Sequence, residues 1–97
     1  MITTKQRKTL SSMAQTLTPS FIIGVGGLTD NSIRELSNLL EARELVKITI
    51  LKTSGLVPRE FIDSLCQTLA AEPVSCLGQK IVIYRRSEKK GIKHIEF

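Results

Sequence analysis

The sequence predicts a small α/β domain, a two-layer sandwich with a roughly four-stranded mixed sheet. Apolar residues recur at helical spacing in three separate segments of the chain. Short apolar or alternating runs, which are typical of strands, lie between and after these segments. The length of 97 residues suits one domain and leaves no room for a second, so residues 1–97 are predicted to fold as one unit.

The first segment is predicted to be an amphipathic helix. Thr3 and Thr4 are suitable N-caps, and Thr18-Pro19 ends the helix because proline disfavours helical geometry in the residue before it. The apolar face comprises Leu10, Met13, Ala14 and Leu17. The opposite face carries Lys5, Lys8, Ser12 and Gln15, with Arg7 at its flank.

A short apolar run at residues 21–23 predicts a buried strand that leads into a glycine-rich loop. Thr29 or Asp30 can cap the helix that follows, and the alternating residues 45–51 then predict a second strand.

Pro58 suits the first turn of a third helix. Residues 74–77 and 80–84 predict two strands that Gly78-Gln79 joins as a hairpin. The predicted order is therefore α-β-α-β-α-β-β, with residues 86–97 as a basic C-terminal tail.

The positive charge is concentrated at the two ends of the chain. The protein has 14 basic and 9 acidic residues, for a net charge of +5. Residues 1–20 carry +3 and residues 84–97 carry +3, whereas residues 21–83 carry −1. Such a distribution favours an anionic partner, although charged ends that are merely solvated are the ordinary alternative.

Several classes of protein are disfavoured by what the sequence lacks. No apolar run approaches the roughly 20 residues of a membrane span, which predicts a cytoplasmic protein without membrane contact. Cys66 and Cys76 have no neighbours at zinc-ligand spacing and are predicted to be reduced core thiols. His94 lies in the charged tail and lacks partners for a catalytic site. We therefore predict no enzyme activity, no cofactor, no metal and no small-molecule substrate.

The glycine-rich loop, Gly24-Val25-Gly26-Gly27, is the most informative motif. It departs from the dinucleotide-binding fingerprint because Thr29 occupies the third glycine position, and Glu44 precedes the second strand instead of following it. The Gly-Lys-Ser/Thr of a phosphate-binding P-loop is absent. Two interpretations remain: a tight strand-to-helix turn, or the Gly-x-x-Gly loop with which KH-type domains clamp a nucleic-acid backbone.

Motifs in a fixed order along the chain resemble one known family. They are the Thr-Lys-Gln-Arg opening, Leu-Thr-Pro, Ile-Gly-Val-Gly-Gly-Leu-Thr, Glu-Leu-Val-Lys-Ile and the closing Leu-Gly-Gln-Lys-Ile-Val-Ile-Tyr-Arg. The sequence resembles the CRM domain (chloroplast RNA splicing and ribosome maturation) in its stand-alone bacterial, YhbY-like form. The resemblance implies a fold similar to the C-terminal domain of translation initiation factor three. It also implies RNA binding and a non-catalytic role on precursors of the large ribosomal subunit.

We therefore expect a monomer that binds structured ribosomal RNA at one surface, formed by the glycine loop and the cations of both chain ends. The candidate RNA-binding residues are Gly24, Val25, Gly26, Gly27, Lys5, Arg7, Lys8, Arg85, Arg86, Lys89, Lys90 and Lys93. Aromatic residues are few, so recognition is expected to depend on phosphate geometry and shape. The main alternative is a protein-interaction module that does not bind RNA directly, and a nucleotide-binding enzyme ranks last.

Overall fold

A computed structural model describes residues 2–92 and 94–97. The elements are α1 (Thr4–Ala14), β1 (Phe21–Ile23), α2 (Asp30–Arg43), β2 (Leu45–Ile50), a 3-10 turn (Lys52–Ser54), α3 (Pro58–Leu69), β3 (Glu72–Leu77) and β4 (Lys80–Tyr84). The predicted order of helices and strands is thereby confirmed.

Helix α1 begins as the sequence predicts and ends earlier. Thr3 and Gln6 form a reciprocal capping box that satisfies two backbone amides of the first turn. The helix ends at Ala14, and the Lys47 ammonium donates hydrogen bonds of 3.3 Å to the carbonyls of Ala14 and Leu17. Because the chain leaves helical geometry there, Leu17 does not join the core and is 38% exposed. Met13, within the helix, is 39% exposed as well, so only Leu10 and Ala14 of the predicted apolar face are buried.

The sheet has the order β1-β2-β4-β3. Strands β1 and β2 are parallel and are connected through α2, whereas β4 is antiparallel to both β2 and β3. Strand β3 starts at Glu72, two residues before its predicted start, with a bulge between Pro73 and Ser75. Proline is tolerated there because β3 is an edge strand.

Helices cover both faces of the sheet, so the domain has three layers where the sequence analysis expected two. One face packs on α2 and α3 through a core that includes Leu36, Ile48, Leu65 and Ile81. The other face packs on α1 through Leu10, Ala14, Leu45, Val82 and Tyr84. The strand period of two directs alternate side chains to these two cores.

The segment after β4, which the sequence analysis assigned to a basic C-terminal tail, packs on the body of the protein. Ile95 and Phe97 contact the core beneath α1, and the Phe97 ring meets Tyr84 edge to face at a centroid distance of 5.1 Å. Burial raises the pKa of the Tyr84 hydroxyl, and the nearby carboxylate of Glu44 adds to the shift.

Glu44 anchors this segment. Its carboxylate is buried and accepts hydrogen bonds from the amides of Ser87 and Ile95, each at 2.7 Å, and pairs with His94 Nδ1 at 2.5 Å. His94, which the sequence placed in the charged tail, is therefore held by the fold. Burial alone raises the pKa of Glu44, but the three hydrogen bonds outweigh it and hold this pKa below its usual value.

Candidate nucleic-acid interface

The glycine loop forms a tight turn between β1 and α2. The Gly27 amide donates to the Gly24 carbonyl at 3.0 Å, and Gly26 has a φ of +94°. A positive φ at the third position with this hydrogen bond is typical of a type II β-turn, which favours glycine there. Gly27 also has a positive φ, of +63°. Two of the three glycines are thus explained by backbone conformation.

The turn presents backbone amides to solvent. Val25 is 84% exposed and Gly26 is exposed as well. Within residues 2–92 and 94–97, the amides of these two residues donate no hydrogen bond to the protein. Successive free amides in a turn form a concave site that suits an anion such as a phosphate.

The N-terminus of α2 contributes less than the sequence suggests. The Thr29 hydroxyl caps this helix by accepting from the Ser32 amide at 3.1 Å. Asp30, in the first turn, already places a carboxylate at the positive end of the helix dipole. An anion is therefore better accommodated by the free amides of the turn than by the N-terminus of this helix.

The segment after β2 lies beside the turn. The Leu51 amide donates to the Ile23 carbonyl at 2.8 Å, and a Cβ on Gly24 would lie 3.3 Å from Leu51 Cδ1. Gly24 is thus constrained by close packing. The next residue, Lys52, is exposed, and sequence reasoning missed this cation, which directly follows the residue packed on Gly24. The parallel pairing of β1 and β2 would have revealed it, because the segments that follow two parallel strands lie at the same edge of the sheet.

This edge, which we call the loop end, comprises the turn 24–27, the segment 51–56 and the hairpin turn 78–79. The hairpin turn belongs here because the Ile50 amide donates to the Gln79 carbonyl at 2.6 Å. At the opposite edge, which we call the termini end, β2 begins, β4 ends and the two chain ends meet. There the Ile2 amide donates to the Glu72 carboxylate at 3.0 Å.

The predicted cations of α1 lie toward the termini end. Lys5 and Lys8 are exposed on the outer side of the helix, and Lys5 lies beside Phe97. Arg7 is half-buried, and its Nε donates to the Pro73 carbonyl at 2.9 Å. Lys5 and Lys8 are therefore available to an anion, whereas the guanidinium of Arg7 is partly committed to the protein.

Arg85 has an internal role that the sequence did not reveal. Its Nη1 donates to the Leu69 carbonyl at 2.8 Å, and its Nη2 donates to the Ser37 carbonyl and hydroxyl at 3.0 and 2.9 Å. An ion pair with Glu41 at 3.5 Å completes the set. The guanidinium joins β4 to the end of α3 and to α2, so the expectation of a free phosphate contact is corrected.

The other C-terminal cations are exposed but remote from the turn. Arg86, Lys89 and Lys90 are exposed and follow β4, and Lys93 lies outside the described residues. Arg85 lies opposite Glu44, just before β2, and Gly24 lies opposite Leu51, just after β2. Glu44 and Leu51 are seven residues apart, and at about 3.3 Å per residue of extended chain this distance is about 23 Å. The expectation of a single surface is therefore wrong: the two chain ends meet each other, and the glycine turn lies at the far edge of the sheet.

The remaining chemistry of the described residues is limited. Cys66 and Cys76 are free thiols, and burial raises the pKa of Cys66 to about 12, with nearby carboxylates adding to the shift. Across residues 2–92 and 94–97, no three His, Cys, Asp or Glu side chains are grouped to hold a metal ion. No helix in that part of the chain has the length and apolar character needed to cross a membrane.

Comparisons with known proteins agree with the motif resemblance. The chain is 36% identical over 96 residues to probable RNA-binding protein YqeI of Bacillus subtilis, covering 99% of this chain and 98% of that protein. It is 29% identical to an RNA-binding protein of Haemophilus influenzae, covering 95% and 93% of the two chains. The solution structure of hypothetical protein SAV1595 from Staphylococcus aureus superposes with a TM-score of 0.75 at 33% identity, covering 98% of this chain and 100% of the other. The CRS1 / YhbY (CRM) domain model matches residues 2–85, and the chain belongs to this family.

Proposed function

We propose that this protein binds structured ribosomal RNA without catalysis and acts, as a cytoplasmic monomer, in the assembly of the large ribosomal subunit. The observation that carries the proposal is the exposed turn whose Val25 and Gly26 amides are free to bind a phosphate, with Lys52 beside it. Membership of a family whose relatives are named RNA-binding proteins supports the RNA-binding part of this proposal.

The separation of the cations favours a structured RNA over a short single strand. The turn and Lys52 form one contact region, and Lys5, Lys8 and Arg86 form another at the termini end. A ligand that neutralises both regions must span about 23 Å, as estimated from the strand rise. A folded RNA presents phosphates over such distances with fixed geometry. A flexible single strand of RNA instead loses conformational entropy when it is held at both contact regions.

The first test is a titration of ribosomal RNA fragments at several salt concentrations, with two variants of the turn. Each phosphate contact contributes a slope of about 0.7–0.9 in the logarithmic salt dependence of binding. Gly26→Asp places a negative charge where phosphate is expected, and Gly26→Asn is its matched neutral control, because Asn also tolerates a positive φ. We expect a loss of affinity of at least fivefold with Asp and less than twofold with Asn.

Two results would contradict RNA binding through this turn: affinity that hardly changes with salt, or equal affinity of the Asp and Asn variants. The assembly role is tested separately, by crosslinking in cells and sequencing of the attached RNA. We expect precursor RNA of the large subunit to dominate. Recovery of mainly other RNA classes would refute the assembly role and leave RNA binding intact.

A further inference from the structure

Exposed apolar side chains are concentrated at the loop end. In the described part of the chain, seven large hydrophobic residues are exposed, and five of them lie at or beside this edge. These five are Ile22, Val25, Leu51, Val57 and Leu77. Exposed apolar side chains that are grouped at one edge, and not scattered singly, are typical of an interaction site.

One row of the sheet joins the two ends of this group. Ile22 pairs with Thr49, Thr49 with Lys80, and Lys80 with Leu77, so the four residues form a line across all four strands. We call this line the sheet row. Ile22 is 62% exposed and Leu77 is 84% exposed. At a strand spacing of about 4.8 Å, the row is about 14 Å long.

The sheet row lies on the face that carries α1, beyond the part that the helix covers. Paired residues share a face, and the next residues of this face toward the termini end, Val82 and then Tyr84, pack in the core beneath α1. Helix α1 ends at Ala14, and its last turn borders the Leu77–Lys80 part of the row across a groove, while Ile22 and Leu77 remain exposed. The fold therefore leaves a strip of open sheet next to the glycine turn.

The sheet row is continuous with the turn. Leu51 follows Ile50 in extended geometry, so its side chain points to the same face as the row, and it lies against Gly24. Lys80 stands within the row and Lys52 stands beside the turn, both exposed. Exposed apolar side chains, free amides and two exposed lysines thus occur at the same edge of the sheet.

We propose that the sheet row binds unpaired nucleotides of the RNA, with their bases against Ile22, Leu51 and Leu77 and their phosphates at the turn amides, Lys52 and Lys80. This inference rests on the proposed function and adds a substrate class to it, namely RNA with an unpaired segment next to its folded part. In other RNA-binding domains, aromatic side chains of a four-stranded sheet stack two or three bases. Here the contacts to the bases are aliphatic, and about 14 Å provides room for about as many bases.

The composition of the row favours RNA over a protein partner. Its apolar residues are separated by Thr49 and Lys80. This alternation suits an RNA strand, because the faces of its bases are apolar and its backbone is anionic. The core of a protein interface is instead depleted in charged residues, and lysine is disfavoured there. Paired bases hide their faces in the stack, so only unpaired nucleotides can use these side chains.

The test compares three RNAs of equal length: a single strand, a perfect duplex and a hairpin with an unpaired flank. The double variant Ile22→Thr/Leu77→Thr removes the apolar contacts and places threonine, a β-branched residue suited to strands, at both positions. Both positions are exposed, so the fold should persist, which circular dichroism and thermal unfolding will verify. The control is Leu17→Thr, which removes an exposed apolar side chain away from the row.

We expect the double variant, which removes two apolar contacts, to lose about tenfold in affinity for the single strand and the flanked hairpin, and less than twofold for the duplex. The control should change none of the three. Equal losses on all three RNAs, or no loss on any, would overturn the inference. The proposed function would still stand in either case, because it depends on RNA binding by the wild-type protein. Unchanged RNA affinity together with lost association with pre-ribosomal particles would also overturn it, in favour of a protein partner.

Discussion

Replacement of Glu44 by glutamine tests whether the buried carboxylate holds the C-terminal segment on the domain. The side chain is 1% exposed and accepts from Ser87, His94 and Ile95. Glutamine has nearly the same shape but only one acceptor oxygen, and its amide group would face donors. At least one backbone amide would then be left in a buried place without an acceptor.

The expected loss can be worked out from these contacts. A hydrogen bond to a charged group contributes about 1.5–3 kcal/mol, compared with about 1 kcal/mol for a neutral one. Weakening two or three such bonds and leaving a donor unpaired should cost about 2–3 kcal/mol of unfolding free energy. For a domain of this size, each kcal/mol lowers Tm by about 4–8 °C, so Tm should fall by about 10–20 °C.

Urea unfolding and hydrogen exchange together provide the assay. The variant should lose unfolding free energy, and the Ile95 amide should exchange much faster than in the wild type. Glu88→Gln is the matched control, because Glu88 lies on the same segment and is exposed. If Glu44→Gln unfolds like the control and the Ile95 amide stays protected, the carboxylate does not hold the segment.

The pH dependence follows from the lowered pKa of Glu44. Because the pKa is lower in the folded protein than in the unfolded chain, the stabilisation is complete above the unfolded value of about 4.5. It is lost as the pH falls through the folded value. The stability difference between wild type and Glu44→Gln should therefore shrink on going from about pH 7 to about pH 3. A difference that stays constant over that range would contradict the assignment.

Three further substitutions or reactions test other parts of the structure. Arg85→Lys should lower the free energy of unfolding in urea by about 1–2 kcal/mol, because an ammonium cannot reproduce the guanidinium's three hydrogen bonds. The control Arg86→Lys should leave it unchanged, and equal losses in the two variants would refute the internal role of Arg85. Gly24→Ala should lower Tm by a few degrees because its Cβ would lie 3.3 Å from Leu51 Cδ1; an unchanged Tm would mean that Leu51 moves freely. Cys66 should resist iodoacetamide in the native protein and react once urea unfolds it, because its pKa is raised to about 12; rapid native alkylation, read by mass spectrometry, would contradict its burial.

Local patterns in the sequence determined the elements of this fold. The capping signal at Thr3, the strand alternation after Glu44 and the proline at the start of α3 each act within a few residues, so they can be recognised without the rest of the chain. The turn at Gly24-Val25-Gly26-Gly27 is equally local, because a positive φ selects glycine wherever the turn lies.

The tertiary structure alone decided which residues share a surface. Whether Arg85 faces solvent depends on carbonyls of α2 and α3 that are far away in sequence. The strand directions place Lys52 beside the glycine turn and carry the C-terminal cations to the opposite edge. A buried carboxylate at Glu44 then folds the last residues back onto the sheet. These placements depend on pairings between distant segments, and a charge count along the chain contains no information about them.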